Sequence, residues 1–275
     1  MPIRIGTNVA SLYVQRKLGK TDERVNHAIQ ALASGQRIVT ASDDAAGFAI
    51  AENLKGRVVG LTRARQNAEH GTSLIQVAEG GLSEQNNIMI RLRELAVQAA
   101  SDGISDAERG FLDQEFQLLT EESDRIAKST TFGSAKLLEG SGQRFEFHVG
   151  ADSDESNIIG LSLDADTSGD AMNLSGLSIA DKDEASEILP DLDNGIQKLA
   201  GVRAGFGALQ SRFQFAINNL DQQVENNQAA RSRIIDADIA HETSELAQAQ
   251  ILQEMGVAVL AQANSLPQKA LRLIM

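Results

Sequence analysis

Stepping by seven from Leu54 lands on Leu61, Ala68, Ile75, Leu82, Met89 and Ala96, and every one of these positions is apolar. A second set, Ala64, Ala78, Leu92 and Ala99, fills the alternate heptad position, with Arg57 and Gln85 as polar members. This pattern predicts a long α-helix that packs one stripe against other helices. The seam residues are small, which lets helices approach closely. A second seam, in steps of three and four, runs through Leu189, Leu192, Ile196, Leu199, Phe206, Phe213, Ile217, Leu220, Val224 and Ile234. Its polar members are Arg203, Gln210, Asn227 and Arg231, and Gly201, Gly205 and Gly207 weaken it locally. Between the two, Ser105 followed by Glu108 reads as a capping box, and Leu112, Phe116, Leu119 and Ile126 form the stripe of the helix it starts.

The pattern changes over residues 132–185. Phe145, Phe147 and Val149 alternate with Glu146 and His148, a strand signature. Gly150-Ala151-Asp152 predicts a turn, and Ile158, Ile159, Leu161 and Leu163 a second strand. The stretch Asp164 to Asp183 is rich in Asp, Ser and Gly and predicts an exposed, poorly structured connection. Both chain ends return to helical spacing. Ile5, Val9 and Leu12 share a face, as do Val25, Ile29 and Leu32, and as do Ile251, Met255 and Val259. A helix from Leu54 to Ala96 would be about 60 Å long at the α-helical rise. A compact chain of this length is only about 50 Å across, judged from its radius of gyration. The sequence therefore predicts a rod unless the helix breaks, and Gly71 is the first candidate for such a break. A rod buries surface poorly alone, so the apolar stripes at the two ends call for partners.

Composition narrows the function classes. The 275 residues carry a net charge of −13, which argues against nucleic acid as a partner. Cysteine is absent, so there is neither a disulfide scaffold nor a thiolate metal site. No run of about 18 apolar residues predicts a membrane span, and MPIRIGTNVA has no apolar h-region of a secretory signal. The adjacent carboxylates of Asp43 and Asp44 could suggest acid–base chemistry. They follow Ser42, a plausible N-cap, and precede a helical run, so the expected role is to start a helix. His27, His70, His148 and His241 are scattered, and His241-Glu242 lacks the second histidine of a zinc helix. DADTSGD at 164–170 opens like a calcium loop, but Ser175 stands where a bidentate Glu is needed. Gly205 and Gly207 have no third glycine at the dinucleotide spacing. Asn173-Leu174-Ser175 is a glycosylation sequon by pattern alone. No catalytic set and no cofactor motif emerges, and nothing argues for an enzyme.

Longer motifs are more specific. Ile5-Gly6-Thr7-Asn8-Val9-Ala10-Ser11-Leu12 resembles the start of bacterial flagellins. So do Leu32-Ala33-Ser34-Gly35-Gln36-Arg37-Ile38 and Ser42 to Ala51, and Ile90 to Gln98 is similar to the family's central helix motif. Ala230 to Asp238, Ala249 to Gln253 and Val259 to Asn264 resemble its C-terminal motifs. The chain departs from the family pattern at Ile235, at Phe132-Gly133-Ser134 and at Glu254-Met255, and residues 164–185 stand in place of large variable outer domains.

The resemblance implies a mainly α fold: a long helical rod or coiled-coil bundle with a small β-hairpin region and a discontinuous terminal-helix domain. Residues 1–42 and 232–275 would pair as the filament's inner tube. Residues 43–231 would form the helical rod, with a hairpin at about 140–163 and a short variable loop at 164–185. The implied job is a structural subunit that polymerises into the extracellular flagellar filament, exported unfolded by the flagellar type III system. A hook–filament junction protein is the alternative, and a coiled-coil scaffold outside the flagellum is a more distant one. Val9, Leu12, Val25, Ile29, Leu32, Ile251, Met255 and Val259 are the expected self-assembly residues. The implied partners are other copies of the chain, an export chaperone and the filament cap. The ends are expected to be disordered until they join. Arg91, Leu95 and Glu115 occupy positions that resemble the patch read by the flagellin-sensing Toll-like receptor, and Leu271 and Leu273 could be read by cytosolic sensors.

Overall fold

The computed structural model describes residues 7–274, with side chains through residue 265. Ile5 and the side chains of Leu271 and Leu273 lie outside the described residues. The element order is α1 (Val9–Ser34), α2 (Ala45–Ala99), α3 (Asp106–Ser129), β1 (Thr131–Phe132), β2 (Ala135–Lys136), β3 (Arg144–His148), β4 (Ile158–Ser162), α4 (Lys182–Glu187), α5 (Leu189–Ile235) and α6 (Ile239–Ile274). The fold is mainly α, with β1–β2 and β3–β4 as small antiparallel pairs. The chain divides into two compact units, Met1–Arg57 with Asn226–Met275 and Val58–Glu225.

In the unit Val58–Glu225, the heptad positions of α2 from Leu61 to Ala99 are buried, as the period demands. α2 runs unbroken through Gly71, the first candidate for a break. Gly71 occupies the seam, and a Cβ there would stand 2.6 Å from the Phe213 ring. The glycine is a socket for a large side chain rather than a hinge. Phe213 is fully buried and meets Phe147 of β3 edge-on, with ring centroids 5.4 Å apart. Phe147 pairs in register with Ile159, and Phe145 with Leu161, so the alternation read from the sequence aims one hairpin face at the helices. The capping box forms, with Ser105 accepting from the Glu108 N–H and Glu108 accepting from the Ser105 N–H.

The connection after β4 corrects the sequence reading. Leu163, Thr167, Met172, Leu174 and Ile179 are buried, and α4 already begins at Lys182. Composition misled because the Asp, Ser and Gly residues surround a few apolar side chains that fill the core. Side chains of α3 satisfy backbone groups at its edge. The Asp113 carboxylate accepts from the Ile179 N–H at 2.8 Å, and the Gln117 amide donates to the Leu177 carbonyl at 2.7 Å. Gln85, the polar heptad member, is 1% exposed and donates to the carbonyls of Ser123 and Thr167. One amide therefore ties α2, α3 and the connection together in a single register.

At the start of α2 the paired carboxylates divide their work. Asp44, not Ser42, is the cap: its Oδ1 accepts from the Gly47 N–H at 2.9 Å, and its carbonyl accepts from the Phe48 N–H. Asp43 turns back and accepts from the N–H groups of Thr40 and Val39 at 2.8 and 3.0 Å. Those donors, Thr40 foremost, hold its pKa below the ordinary carboxylate value. Ser42 shares a hydroxyl hydrogen bond with Thr40 instead.

Two glycines of α2 should respond to alanine with opposite signs. At Gly71 the methyl collides with the Phe213 ring, which has nowhere to move, and Gly71→Ala should destabilise by about 1–3 kcal/mol. At exposed Gly80 nothing lies within 4 Å of the added carbon. There the substitution should stabilise by about 0.5–1 kcal/mol through helix propensity alone. Denaturant melts of both variants check this, and equal shifts would contradict the socket.

Because Asp43 is more acidic folded than unfolded, its contribution is present above the unfolded carboxylate pKa and lost as pH falls through the lowered folded value. The stability difference between wild type and Asp43→Ala should be full near pH 7 and shrink toward about pH 3. A difference independent of pH would show that these hydrogen bonds contribute nothing.

Candidate functional site

The expected assembly residues lie on α1 and α6, which run antiparallel within one unit. Their pairing is pinned at both ends. Asn8 caps α1 by accepting from the Ser11 N–H at 3.1 Å, and its amide donates across to the Ala263 carbonyl at 2.9 Å. At the other end Gly35 takes a left-handed conformation, φ 68°, that a side chain would strain. The turn lets Gln36 pair with Asp236, while the Arg37 N–H donates to the Ile235 carbonyl at 2.7 Å.

Between these clamps the seam steps in threes and fours. On α1 the buried positions are Ser11, Ala28 and Ala31, and Val14, Leu18, Thr21, Val25 and Leu32 are among the half-buried ones. On α6 Glu242, Ala249 and Ala263 are buried, and Leu246, Gln253, Gly256 and Leu260 are among the half-buried ones. Small residues bring the backbones close: a Cβ on Gly256 would sit 3.0 Å from the Leu18 side chain. Gln253 donates to Asp22 across the seam at 2.9 Å.

This geometry splits the expected assembly set. Val25 and Leu32 belong to the seam inside the chain. Val9, Leu12, Ile29, Ile251, Met255 and Val259 face out, with Val9 61% and Met255 60% exposed. The sequence reading missed Tyr13, Leu252 and Val257, which are also exposed. The signal was available, because Leu252 stands one turn from Met255. A groove of about 450 Å³ opens among Tyr13, Leu18, Leu252, Met255 and Val259, with Lys17, Lys20 and Arg24 also lining it.

The outward surface is mostly apolar, and among the described residues no three His, Cys, Asp or Glu side chains stand together as a metal site. What it offers is apolar area. Covering a large apolar side chain contributes about 1.5–3 kcal/mol, so six of them contribute on the order of 10 kcal/mol. Association itself costs about 4–15 kcal/mol. A single stripe is therefore marginal, and several contacts made together are needed to hold a subunit.

The second expected patch is only partly assembled. Arg91 donates to Glu115 at 2.7 and 3.0 Å and to Glu94 at 3.2 Å, and these carboxylates, Glu115 foremost, raise its pKa further. Leu95 is fully buried beside Leu92 and Ala96, so a molecule reading this face meets Arg91 and Glu115 without it. Of the histidines, His27 lies 3.6 Å from Asp43, and His148 is an exposed strand residue whose carbonyl accepts from Asn67. Among the described residues no helix is long and apolar enough to cross a membrane.

Comparison with known proteins fits this architecture. Residues 5–143 match the bacterial flagellin N-terminal helical region, and residues 189–274 the C-terminal helical region. A flagellin of Halalkalibacterium halodurans is 38% identical over 98% of this chain and 99% of its own length. The flagellar filament 30.7 kDa core protein of Treponema maltophilum is also 38% identical, over 98% and 99%. Among solved structures, Bacillus cereus flagellin superposes with a TM-score of 0.51 at 30% identity, covering 60% of this chain and 94% of that one. Such end-to-end agreement with flagellins does not favour the hook–filament junction reading. With both terminal helical regions matched and relatives aligned over nearly their whole length, the chain belongs to the bacterial flagellin family and is a structural subunit of the flagellar filament.

Proposed function

We propose that this subunit enters the filament through the outward stripe of α1 and α6. The supporting observation is the apolar surface left over once the seam has closed: Val9, Leu12, Ile29, Ile251, Met255 and Val259 stay exposed on the outer faces of the two helices. A stripe that fits a different surface on the next copy makes a contact that does not close, so it propagates as a helical polymer. Six large apolar side chains remain for a neighbour to cover, so ordering of the ends and assembly are coupled.

On this reading residues 1–42 and 232–275 line the inner tube, and residues 43–231, with the hairpin and the 164–185 connection, form the outer tube. The role is structural rather than catalytic and is carried out outside the cell. The chain leaves unfolded through the flagellar type III channel. A chaperone covers the apolar face of α6 beforehand, and the filament cap receives the chain at the tip. Arg91 and Glu115 form the part of the receptor-resembling patch that a Toll-like receptor could touch.

Seeded elongation followed by light scattering and electron microscopy tests the stripe. Leu12→Asp and Val259→Asp, both at exposed positions, should abolish elongation while far-UV circular dichroism stays unchanged. Elongation at the wild-type rate by both would remove the stripe from the assembly mechanism. In receptor reporter cells Arg91→Ala should lower activation, with the melting curve unaltered because an exposed ion pair contributes little. Unchanged activation would strike Arg91 from the receptor surface.

A further inference from the structure

Met255 is chemically unlike its neighbours on the stripe. Valine, leucine and isoleucine are inert to mild oxidants, whereas a thioether sulfur accepts an oxygen atom from a peroxide. Three methionines have described side chains, and they differ sharply in access. Met89 is 0% exposed and Met172 3%, but Met255 is 60% exposed on the wall of the groove beside Tyr13, Leu18 and Val259.

We propose that Met255 is a site of reversible oxidation by peroxide that switches the subunit between assembly-competent and assembly-incompetent forms. This rests on the outward stripe being the assembly surface. The step is a two-electron oxygen transfer. The sulfur lone pair attacks one peroxide oxygen, the O–O bond breaks, and the thioether becomes a sulfoxide while hydrogen peroxide is reduced to water. The product carries a strong S–O dipole where an apolar group stood. Burying it against an apolar neighbour strands a hydrogen-bond acceptor. Met255 lies outside the α1–α6 seam, whose nearest members are Gln253 and Gly256. The oxidised chain therefore keeps its fold and loses only its fit to the next copy. Once a neighbour covers the stripe the sulfur is shielded, so free subunits are sensitive and the assembled polymer is protected. Methionine sulfoxide reductases supply the return step.

The test treats the full-length protein, free and polymerised, with hydrogen peroxide, and quenches with catalase. Sulfoxide is then quantified at each methionine by mass spectrometry. In the free protein Met255 should oxidise about tenfold faster than Met89 and Met172, and seeded elongation should fall about tenfold as it does so. Reductase should restore elongation, and peroxide should leave the elongation rate of Met255→Leu where it stood before treatment, because the apolar side chain has no sulfur to oxidise. Normal elongation by wild type quantitatively oxidised at Met255 would overturn the switch, as would equal loss in Met255→Leu. Normal elongation by unoxidised Val259→Asp would instead overturn the assembly stripe on which the switch rests.

Discussion

The terminal unit depends on how closely α1 and α6 approach. Ser11, Ala28, Ala31, Ala249, Gly256 and Ala263 let the backbones come together, with Leu18 packed over Gly256, while other large side chains stay outside. The seam still leaves Val9, Leu12, Met255 and Val259 exposed, apolar surface that a neighbour can cover.

The unit Val58–Glu225 closes its own core around one large buried cluster. Its long helices use large side chains in sockets, with Phe213 seated on Gly71 and against Phe147. A buried polar group sets the register where apolar packing alone would tolerate sliding: the Gln85 amide reaches both Ser123 and Thr167.

Much of this was legible in the sequence. The heptads from Leu61 to Ala99, the Ser105–Glu108 capping box and the alternation around Phe145 and Phe147 are local patterns, and local periodicity decides them. The misreadings came from tertiary contacts. Gly71 looks like a break until Phe213, far along the chain, is placed against it. The 164–185 connection looks solvated until Met172, Leu174 and Ile179 are seen to be buried. Ser42 and Asp44 are equally good caps by composition, and only the backbone geometry selects Asp44. Likewise the face shared by Val25, Ile29 and Leu32 is read correctly as apolar. Which of its members turn inward depends on the partner helix, and Leu95 is lost from its patch for the same reason.

The most direct test of the account is a cryo-electron microscopy structure of the filament grown from this chain. It should show Val9, Leu12, Met255 and Val259 packed against other copies, with the Ser11–Ala263 seam still closed within each subunit. Those four side chains facing solvent or the central channel, with subunits held together elsewhere, would contradict it.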